Sequence, residues 1–206
     1  MRIDFNSSRV ITCPFCSEKK YFMNYLSWND IGAQYWSDNK CDGPMMPSSS
    51  NVQKCSRCGK YYLKSRQPER YEERFPSSSE KPLTYQQLKE AFAQFSAEGF
   101  GKEEEETSVR FMLHHAYNDY YYREGKRPAS EGERQFFHDN ALWLIEHVLK
   151  EDLMKAEFYR EIGEFETAQK ILDTVEISGK FREEIAARIQ SRINDRDCAV
   201  FLLPRR

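Results

Sequence analysis

The amino-acid sequence predicts an α+β fold, in which a small N-terminal β region precedes an all-α region of about six helices. Two Cys-x-x-Cys pairs, Cys13 with Cys16 and Cys55 with Cys58, lie among short segments rich in aromatic and β-branched residues. A polar connector at 67–82 follows them. From residue 83 onward, apolar residues recur at the spacing of amphipathic helices. We therefore predict three parts: residues 1–66, a linker at 67–82 and a helical domain at 83–206.

The composition excludes several classes of protein. No apolar run approaches the ~18 residues that a membrane-spanning helix needs. The first ten residues lack the apolar core and the small-residue cleavage site of a secretory signal. We therefore expect no membrane association and a cytoplasmic location. A reducing compartment favours metal binding over disulfide formation for the six cysteines.

The two cysteine pairs predict a metal site. Four thiolates in two tight turns bind one Zn²⁺ tetrahedrally, and such a closed set leaves no position for a substrate, so the predicted zinc is structural. Gly59 suits the tight backbone after the second pair, whereas Ser17 stands at the matching place after the first. The alternatives are iron bound as in rubredoxin, and thiols that are unbound or redox-active. Cys41 is interpreted as a spare thiol, and Cys198 as a small buried apolar residue.

An aromatic insert separates the two cysteine pairs. Its bulky side chains exceed what a small ribbon core needs, and residues of these types are enriched in protein interfaces. Packing of the insert against the helical domain is the alternative interpretation. Stacking on nucleic-acid bases is another, because Lys54, Arg57 and Lys60 are close in sequence. The candidate interaction residues are Trp28, Tyr35, Trp36, Met45 and Met46.

The helical part divides at clear start and stop signals. Thr84 is a predicted N-cap for a first helix that Gly99 ends. A second helix is predicted from about Glu103, within four successive Glu residues that the helix dipole favours. Ser130 and Glu133 form a predicted capping box for a third. Three further helices are predicted at 153–162, 165–175 and 181–192.

One part of the helical region resembles a tetratricopeptide repeat (TPR). Within residues 152–175, Ala156, Tyr159, Gly163, Phe165 and Ala168 match the repeat's small, aromatic and turn positions. The match covers one repeat unit, and no second clean copy is present, so we predict a TPR-like helical bundle. Its functional interpretation is a concave surface for a partner peptide, and its alternative is ordinary helix packing.

The whole chain also resembles uncharacterised bacterial proteins that join an N-terminal four-cysteine zinc ribbon to a TPR-like helical region. The resemblance depends on the two cysteine pairs and on the Ala-Glu-x-x-Arg-x-x-Gly-x-Phe-x-x-Ala core that begins at Ala156. It implies this architecture and a bacterial cytoplasmic setting, and it implies no activity.

Three functional hypotheses follow from the sequence. The favoured one is a non-enzymatic zinc-binding adaptor that contacts protein through the aromatic insert and the helical surface. The alternative is a nucleic-acid-associated zinc-ribbon protein, since residues 1–66 hold 10 Lys and Arg against 5 Asp and Glu. The second alternative is an enzyme with an unfamiliar site at the junction of the two parts. Familiar catalytic motifs are absent from the sequence, and the four histidines are interpreted as ordinary helix surface or core.

Overall fold

A computed structural model describes residues 1–47, 50–73, 82–125 and 128–204. It confirms the α+β class, because a β region comes first and six α-helices follow it. None of the helices among these residues is long and apolar enough to cross a membrane.

Seven short strands make up three small sheets in the described part of the chain. The strand order of the largest sheet is β2-β1-β7, with both neighbours antiparallel to β1. Around residues 5–7 a bulge interrupts the pairing of β1 with β2. The other sheets pair β3 with β4 and β5 with β6. The strands are β1 (Arg2–Thr12), β2 (Lys19–Ser27), β3 (Gln34–Tyr35), β4 (Cys41–Asp42), β5 (Val52–Lys54), β6 (Tyr61–Leu63) and β7 (Arg70–Glu72).

The helices begin where the capping residues predict. Thr84 and Ser130 each cap a helix and form reciprocal capping boxes with the residues three positions on, which confirms both predicted starts. A π-helical segment, Asp119–Arg123, continues directly from the second helix. The helices are α1 (Tyr85–Glu98), α2 (Glu103–Asn118), α3 (Glu131–His147), α4 (Asp152–Glu161), α5 (Phe165–Leu172) and α6 (Lys180–Asn194).

The chain forms two compact units whose boundaries differ from the predicted division. The ribbon unit comprises Met1–Ala33 and Asp42–Val109, and the helical unit comprises Gln34–Cys41 and Arg110–Arg206. The boundary therefore falls inside α2, and α1 belongs to the ribbon unit. The predicted linker at 67–82 contains strand β7, and its residues 74–81 lie outside the described part.

Hydrogen bonds between α1 and β6 explain why the first helix belongs to the ribbon unit. The Gln94 side chain accepts from the backbone N–H of Tyr61 at 3.1 Å and donates to its carbonyl at 2.9 Å. The Tyr61 hydroxyl donates to Glu90 at 2.6 Å. These contacts satisfy backbone groups at the edge of a short strand, which sequence periodicity does not reveal.

Two apolar clusters form the core of the helical unit. One joins α4, α5 and α6 around Leu153, Phe165, Ala168 and Ile189. The other joins α3 and α4 around Leu144. Ala156 on α4 is also fully buried. Gly163 has φ of 84° at the turn between α4 and α5, which is the position that the repeat resemblance assigns to the turn.

A charged pair is buried on α4. Charged residues of a helix are usually expected to face solvent, but Glu157 is buried. Its two carboxylate oxygens accept from Nε and Nη2 of Arg160, at 2.8 and 2.6 Å. Arg160 is itself fully buried and also donates to the Asp197 carbonyl. A buried charge is tolerated because it is paired and hydrogen-bonded, and hydropathy patterns do not detect such pairs.

Candidate metal centre

The two cysteine pairs form matching turns. The first knuckle (residues 13–17) lies between β1 and β2, and the second (residues 55–59) lies between β5 and β6. In the first, the N–H of Ser17 donates to the Cys13 carbonyl at 3.0 Å, and in the second the N–H of Gly59 donates to the Cys55 carbonyl at 3.0 Å. Each hairpin therefore presents two thiols from a single tight turn.

The four sulfur atoms lie together as the sequence predicts. Their Sγ atoms are all within 4.8 Å of one another. The Sγ atoms of Cys13 and Cys58 are 3.8 Å apart, and those of Cys16 and Cys55 are 3.5 Å apart. A tetrahedral ion with metal–sulfur bonds of about 2.3 Å needs sulfur–sulfur distances of about 3.8 Å. The cluster therefore has the dimensions of a four-thiolate metal site.

A small apolar core packs against the four-cysteine cluster. Ile11, Phe22 and Tyr62 are buried together with Cys13 and Cys55. These side chains come from β1, β2 and β6, so that each knuckle is held by strands packed in the same core. Cys58 is the exposed member of the set.

The thiols differ in acidity. Burial raises the pKa of the Cys13 thiol. The N–H of Glu18 lowers the pKa of Cys16, but burial and the neighbouring sulfurs outweigh it and raise that pKa to about 12. Burial also acts on Cys55, but donation from the N–H groups of Cys58 and Arg57 brings its pKa to about 7. A bound cation favours loss of the remaining protons, so metal affinity in such a site falls in acid.

Comparison with models of known protein families, with curated proteins and with solved structures found no match to this chain. The fold and the cysteine cluster are therefore the observations from which function is argued.

The candidate interaction residues fall in both compact units. Trp28, Met45 and Met46 belong to the ribbon unit, where Trp28 is 56% exposed and the two methionines are half-buried. Tyr35 and Trp36 belong to the helical unit. Tyr35 is exposed, whereas Trp36 is half-buried.

Trp36 packs within the helical unit. The Arg123 guanidinium lies 4.3 Å from the centre of its ring. Its backbone forms a β-bridge with Leu202. We therefore expect Trp36 to stabilise the helical unit rather than to present a free aromatic face.

A buried polar cluster in the helical unit was not predicted. Asp38 accepts from Nη2 of Arg123 at 2.6 Å and from Nδ2 of Asn118 at 2.9 Å. The same Asn118 amide donates to Glu161 at 3.0 Å, and His114 Nε2 lies 2.8 Å from Glu161 Oε2. Asp38, His114, Asn118 and Glu161 are all buried. They come from segments that are distant in sequence, so no local spacing reveals the cluster.

Burial favours the neutral form of both partners in the His114–Glu161 contact. Burial lowers the pKa of His114 to about 3, and burial with the nearby Glu157 and Asp38 carboxyl groups raises the pKa of Glu161 well above its ordinary value. In its protonated form the Glu161 carboxyl donates to His114 Nε2. The His114 ring is stacked between Phe137 and Phe158, at centroid distances of 4.7 and 4.3 Å.

Asp119 and Arg123, which are four residues apart, form a salt bridge. Arg123 Nη1 donates to Asp119 at 2.7 Å, and Lys40 Nζ donates to both oxygens of the same carboxylate at 2.8 Å. The π-helical turn places Arg123 so that its second terminal nitrogen reaches Asp38. The pair is thus part of the buried cluster and not only a surface interaction.

Proposed function

We propose that this chain is a non-enzymatic, cytoplasmic adaptor that contacts other proteins and whose ribbon unit is folded around one structural zinc ion. The ligands are Cys13, Cys16, Cys55 and Cys58. A closed four-thiolate set binds its ion without an open coordination position, which suits a structural role and not Lewis-acid catalysis.

Zinc is proposed over iron on chemical grounds. Both ions bind tetrahedral thiolate sets, but iron in such a site serves electron transfer, and the chain carries no motif for a redox partner. Elemental analysis separates the two, and a protein that stays colourless in air excludes the ferric iron–thiolate form.

The observation that carries the adaptor proposal is an exposed apolar end of the ribbon unit. Leu26, Trp28 and Ile31 are 55%, 56% and 72% exposed. Arg2 pairs with Ser27, so the exposed Met1 lies beside the same end of the β1–β2 hairpin. Isolated exposed apolar residues are ordinary, but several bulky ones at one end of a hairpin are typical of an interaction surface. We name this set, Met1, Leu26, Trp28 and Ile31, the hairpin-end surface.

Charge supports protein over nucleic acid as the partner of the ribbon unit. The unit contains fourteen Lys and Arg residues and fourteen Asp and Glu residues. Four thiolates with one Zn²⁺ add a net charge of −2, so the loaded unit is weakly acidic. Cations of the ribbon are also paired within it, as Lys19 is with Glu72 at 2.6 Å and Arg66 is with Glu105 at 2.7 Å. Nucleic-acid affinity depends chiefly on unpaired cations that meet phosphates.

The nucleic-acid alternative has one observation in its favour. At the tips of the knuckles, Phe15 and Arg57 are exposed, and Lys60 Nζ lies 4.6 Å from the centre of the Phe15 ring. An exposed aromatic ring beside cations suits stacking on a base. The experiment below therefore includes a nuclease arm.

The test is capture of partners by the zinc-loaded full chain and its variants. Trp28→Ala should lose the captured proteins, since it removes the largest side chain of the hairpin-end surface. The control is Tyr71→Ala, which removes an equally exposed ring from β7. Tyr71 pairs with Arg9 and Ser27 pairs with Arg2, so the two sites are roughly 20 Å apart along β1. Capture that is unchanged in Trp28→Ala, or abolished by nuclease, contradicts the proposal.

A further inference from the structure

The helical unit contains a half-open cavity of about 240 Å³ between α4 and α6, which we name the α4–α6 groove. Its walls are mainly apolar. A cavity of roughly 150 Å³ is large enough for benzene, so this groove has room for one bulky aliphatic or aromatic side chain. The apolar lining residues are Leu153, Met154, Phe181, Ile185, Ile189 and Leu203.

One polar atom at the groove lacks a partner. Arg182 Nη1 donates to Glu151 at 3.0 Å. Its Nε is buried and has no hydrogen-bond partner among the residues that the structure describes. An unmade hydrogen bond at a buried donor costs free energy, and an acceptor placed beside the groove recovers it.

The other polar groups of the lining are already engaged. Both carboxylate oxygens of Glu157 accept from Arg160. The Ser37 hydroxyl accepts from the backbone N–H of Phe201. Arg182 Nε is the buried donor of the lining that has no partner among the residues that the structure describes, and Glu151 balances the charge of its guanidinium. A neutral acceptor such as a main-chain carbonyl suits this site better than a second carboxylate.

The chain's own extended segment at 199–204 shows how α6 holds such a partner. Arg188 Nη1 donates to the carbonyl of Leu202 at 2.9 Å, while Phe201 is buried and Leu203 forms part of the groove wall. Arg182 lies six residues earlier on the same helix, or about 9 Å along its axis. That distance corresponds to about three residues of extended chain. The groove therefore continues a contact that α6 already makes with an extended backbone.

We propose that the α4–α6 groove binds an extended segment of a partner protein. The segment buries one bulky apolar side chain in the groove, and one of its main-chain carbonyls accepts a hydrogen bond from Arg182 Nε. The proposal depends on the proposed function in so far as it assigns a peptide-binding role to the helical surface. It does not depend on the hairpin-end surface or on zinc.

The test uses two small probes with the zinc-loaded full chain. N-acetyl-phenylalanine N-methylamide carries an aromatic side chain beside carbonyl acceptors, whereas propylbenzene carries the ring alone. Both should shift the methyl NMR signals of Ile185, Ile189 and Leu203. The amide probe should bind about three- to tenfold more tightly, because it gains one hydrogen bond to a buried donor.

Three variants make the test specific. Arg182→Met keeps an apolar stem and removes the donor, so the advantage of the amide probe should disappear while propylbenzene still binds. Glu151→Gln is the matched control, since it removes the ion pair but keeps Arg182 Nε, and the advantage should persist. Ile185→Trp should fill the groove and abolish binding of both probes.

Three results would each overturn the proposal. The first is that neither probe shifts the groove methyl signals. The second is that propylbenzene binds the parent chain as tightly as the amide probe does. The third is that Arg182→Met leaves the difference between the two probes unchanged. Partner capture that is lost in Trp28→Ala but normal in Ile185→Trp leaves the adaptor proposal standing, so the two failures are distinguishable.

Discussion

Ser17 and Gly59 take the same left-handed backbone conformation at the same place in the two knuckles, with φ of 61° and 73°. The N–H of each donates to the carbonyl of the first cysteine of its knuckle. The sequence shows a glycine at only one of these positions, whereas the structure gives both positions a backbone conformation that favours glycine. A serine with positive φ carries a strain that a glycine does not.

Exchanges at these two positions should change stability in opposite directions. Ser17→Gly relieves the strain and should raise the free energy of unfolding of the metal-loaded chain by up to about 1 kcal/mol. Gly59→Ala introduces the strain and should lower it by about 1 kcal/mol, since its Cβ meets no atom within 4 Å and sterics add nothing. Denaturant unfolding with excess metal measures both. Marked destabilisation by Ser17→Gly would show that the hydroxyl is needed and not merely tolerated.

Metal removal should unfold α1 together with the ribbon. Its side chains Gln94 and Glu90 bond to Tyr61 on β6, which follows the second knuckle directly. After chelation, hydrogen exchange should become fast in β5, β6 and α1, whereas helices α3 to α6 should keep their protection. The result that contradicts this account is an α1 that stays protected without metal, or helices α3 to α6 that lose protection with it.

The sequence predicts the fold well where the signals are local. The N-cap at Thr84, the capping box at Ser130 and the meeting of the four cysteines follow from residue type and spacing over a few positions. The membership of α1 in the ribbon unit does not follow from such local signals. It depends on hydrogen bonds between the Gln94 side chain and the backbone of a strand 33 residues earlier. The polar composition of 67–82 also conceals β7, whose pairing partner is β1.

The buried His114–Glu161 pair should give a distinct pH dependence of stability. The folded pKa of His114 lies below its ordinary value. The contribution of His114 to the stability of the folded state is therefore lost as pH falls from about 6.5 toward 3. The folded pKa of Glu161 is raised, so its contribution is complete below the unfolded value of about 4.5 and is lost as pH rises toward the folded pKa. Between about pH 4.5 and 6.5 the two groups change the free energy of unfolding with opposite slopes, which cancel. Above that range only the loss of stability from Glu161 remains.

Glu161→Gln should remove the loss of stability that Glu161 causes as pH rises. Glutamine keeps a hydrogen-bonding side chain near His114 and Asn118 but has no proton to lose. Relative to the variant, the unfolding equilibrium constant of the parent should rise about tenfold per pH unit above about 4.5, until the folded pKa of Glu161 is reached. Urea unfolding of both chains at pH 5.5, 6.5 and 7.5 measures this difference. A difference that does not change with pH would show that Glu161 is ionised in the folded protein.

Gly163→Ala should destabilise the helical unit through the backbone alone. Gly163 has φ of 84°, and an added Cβ would lie 3.8 Å from Cys198 Sγ, which is an ordinary contact. The expected loss is about 1 kcal/mol. Gly132→Ala is the matched control, because Gly132 lies in α3 without a positive φ and has open space around it. In a helix alanine is favoured over glycine, so this control should not destabilise. Thermal melts compare the two variants, and equal effects would contradict the assigned turn.

The buried polar cluster marks the limit of sequence reasoning for this chain. Asp38 lies in a turn-rich stretch and Glu161 ends a charged helix, so both are expected at the surface from hydropathy. Tertiary pairing with Arg123, Asn118 and His114 overrides that expectation, and only the folded arrangement shows it. The same holds for Glu105, which the run of four glutamates places in solvent but which bonds to Arg66.

The most direct test of the account is the metal content of the purified chain and of three cysteine variants. One zinc per chain is expected in the parent and in Cys41→Ser and Cys198→Ser, because neither thiol belongs to the cluster. Cys58→Ser removes the exposed ligand and should lose the metal, and cobalt substitution of the parent should give the absorption of a tetrahedral thiolate site. Zinc absent from the parent, or retained in full by Cys58→Ser, would contradict the four-thiolate site on which the proposed function depends.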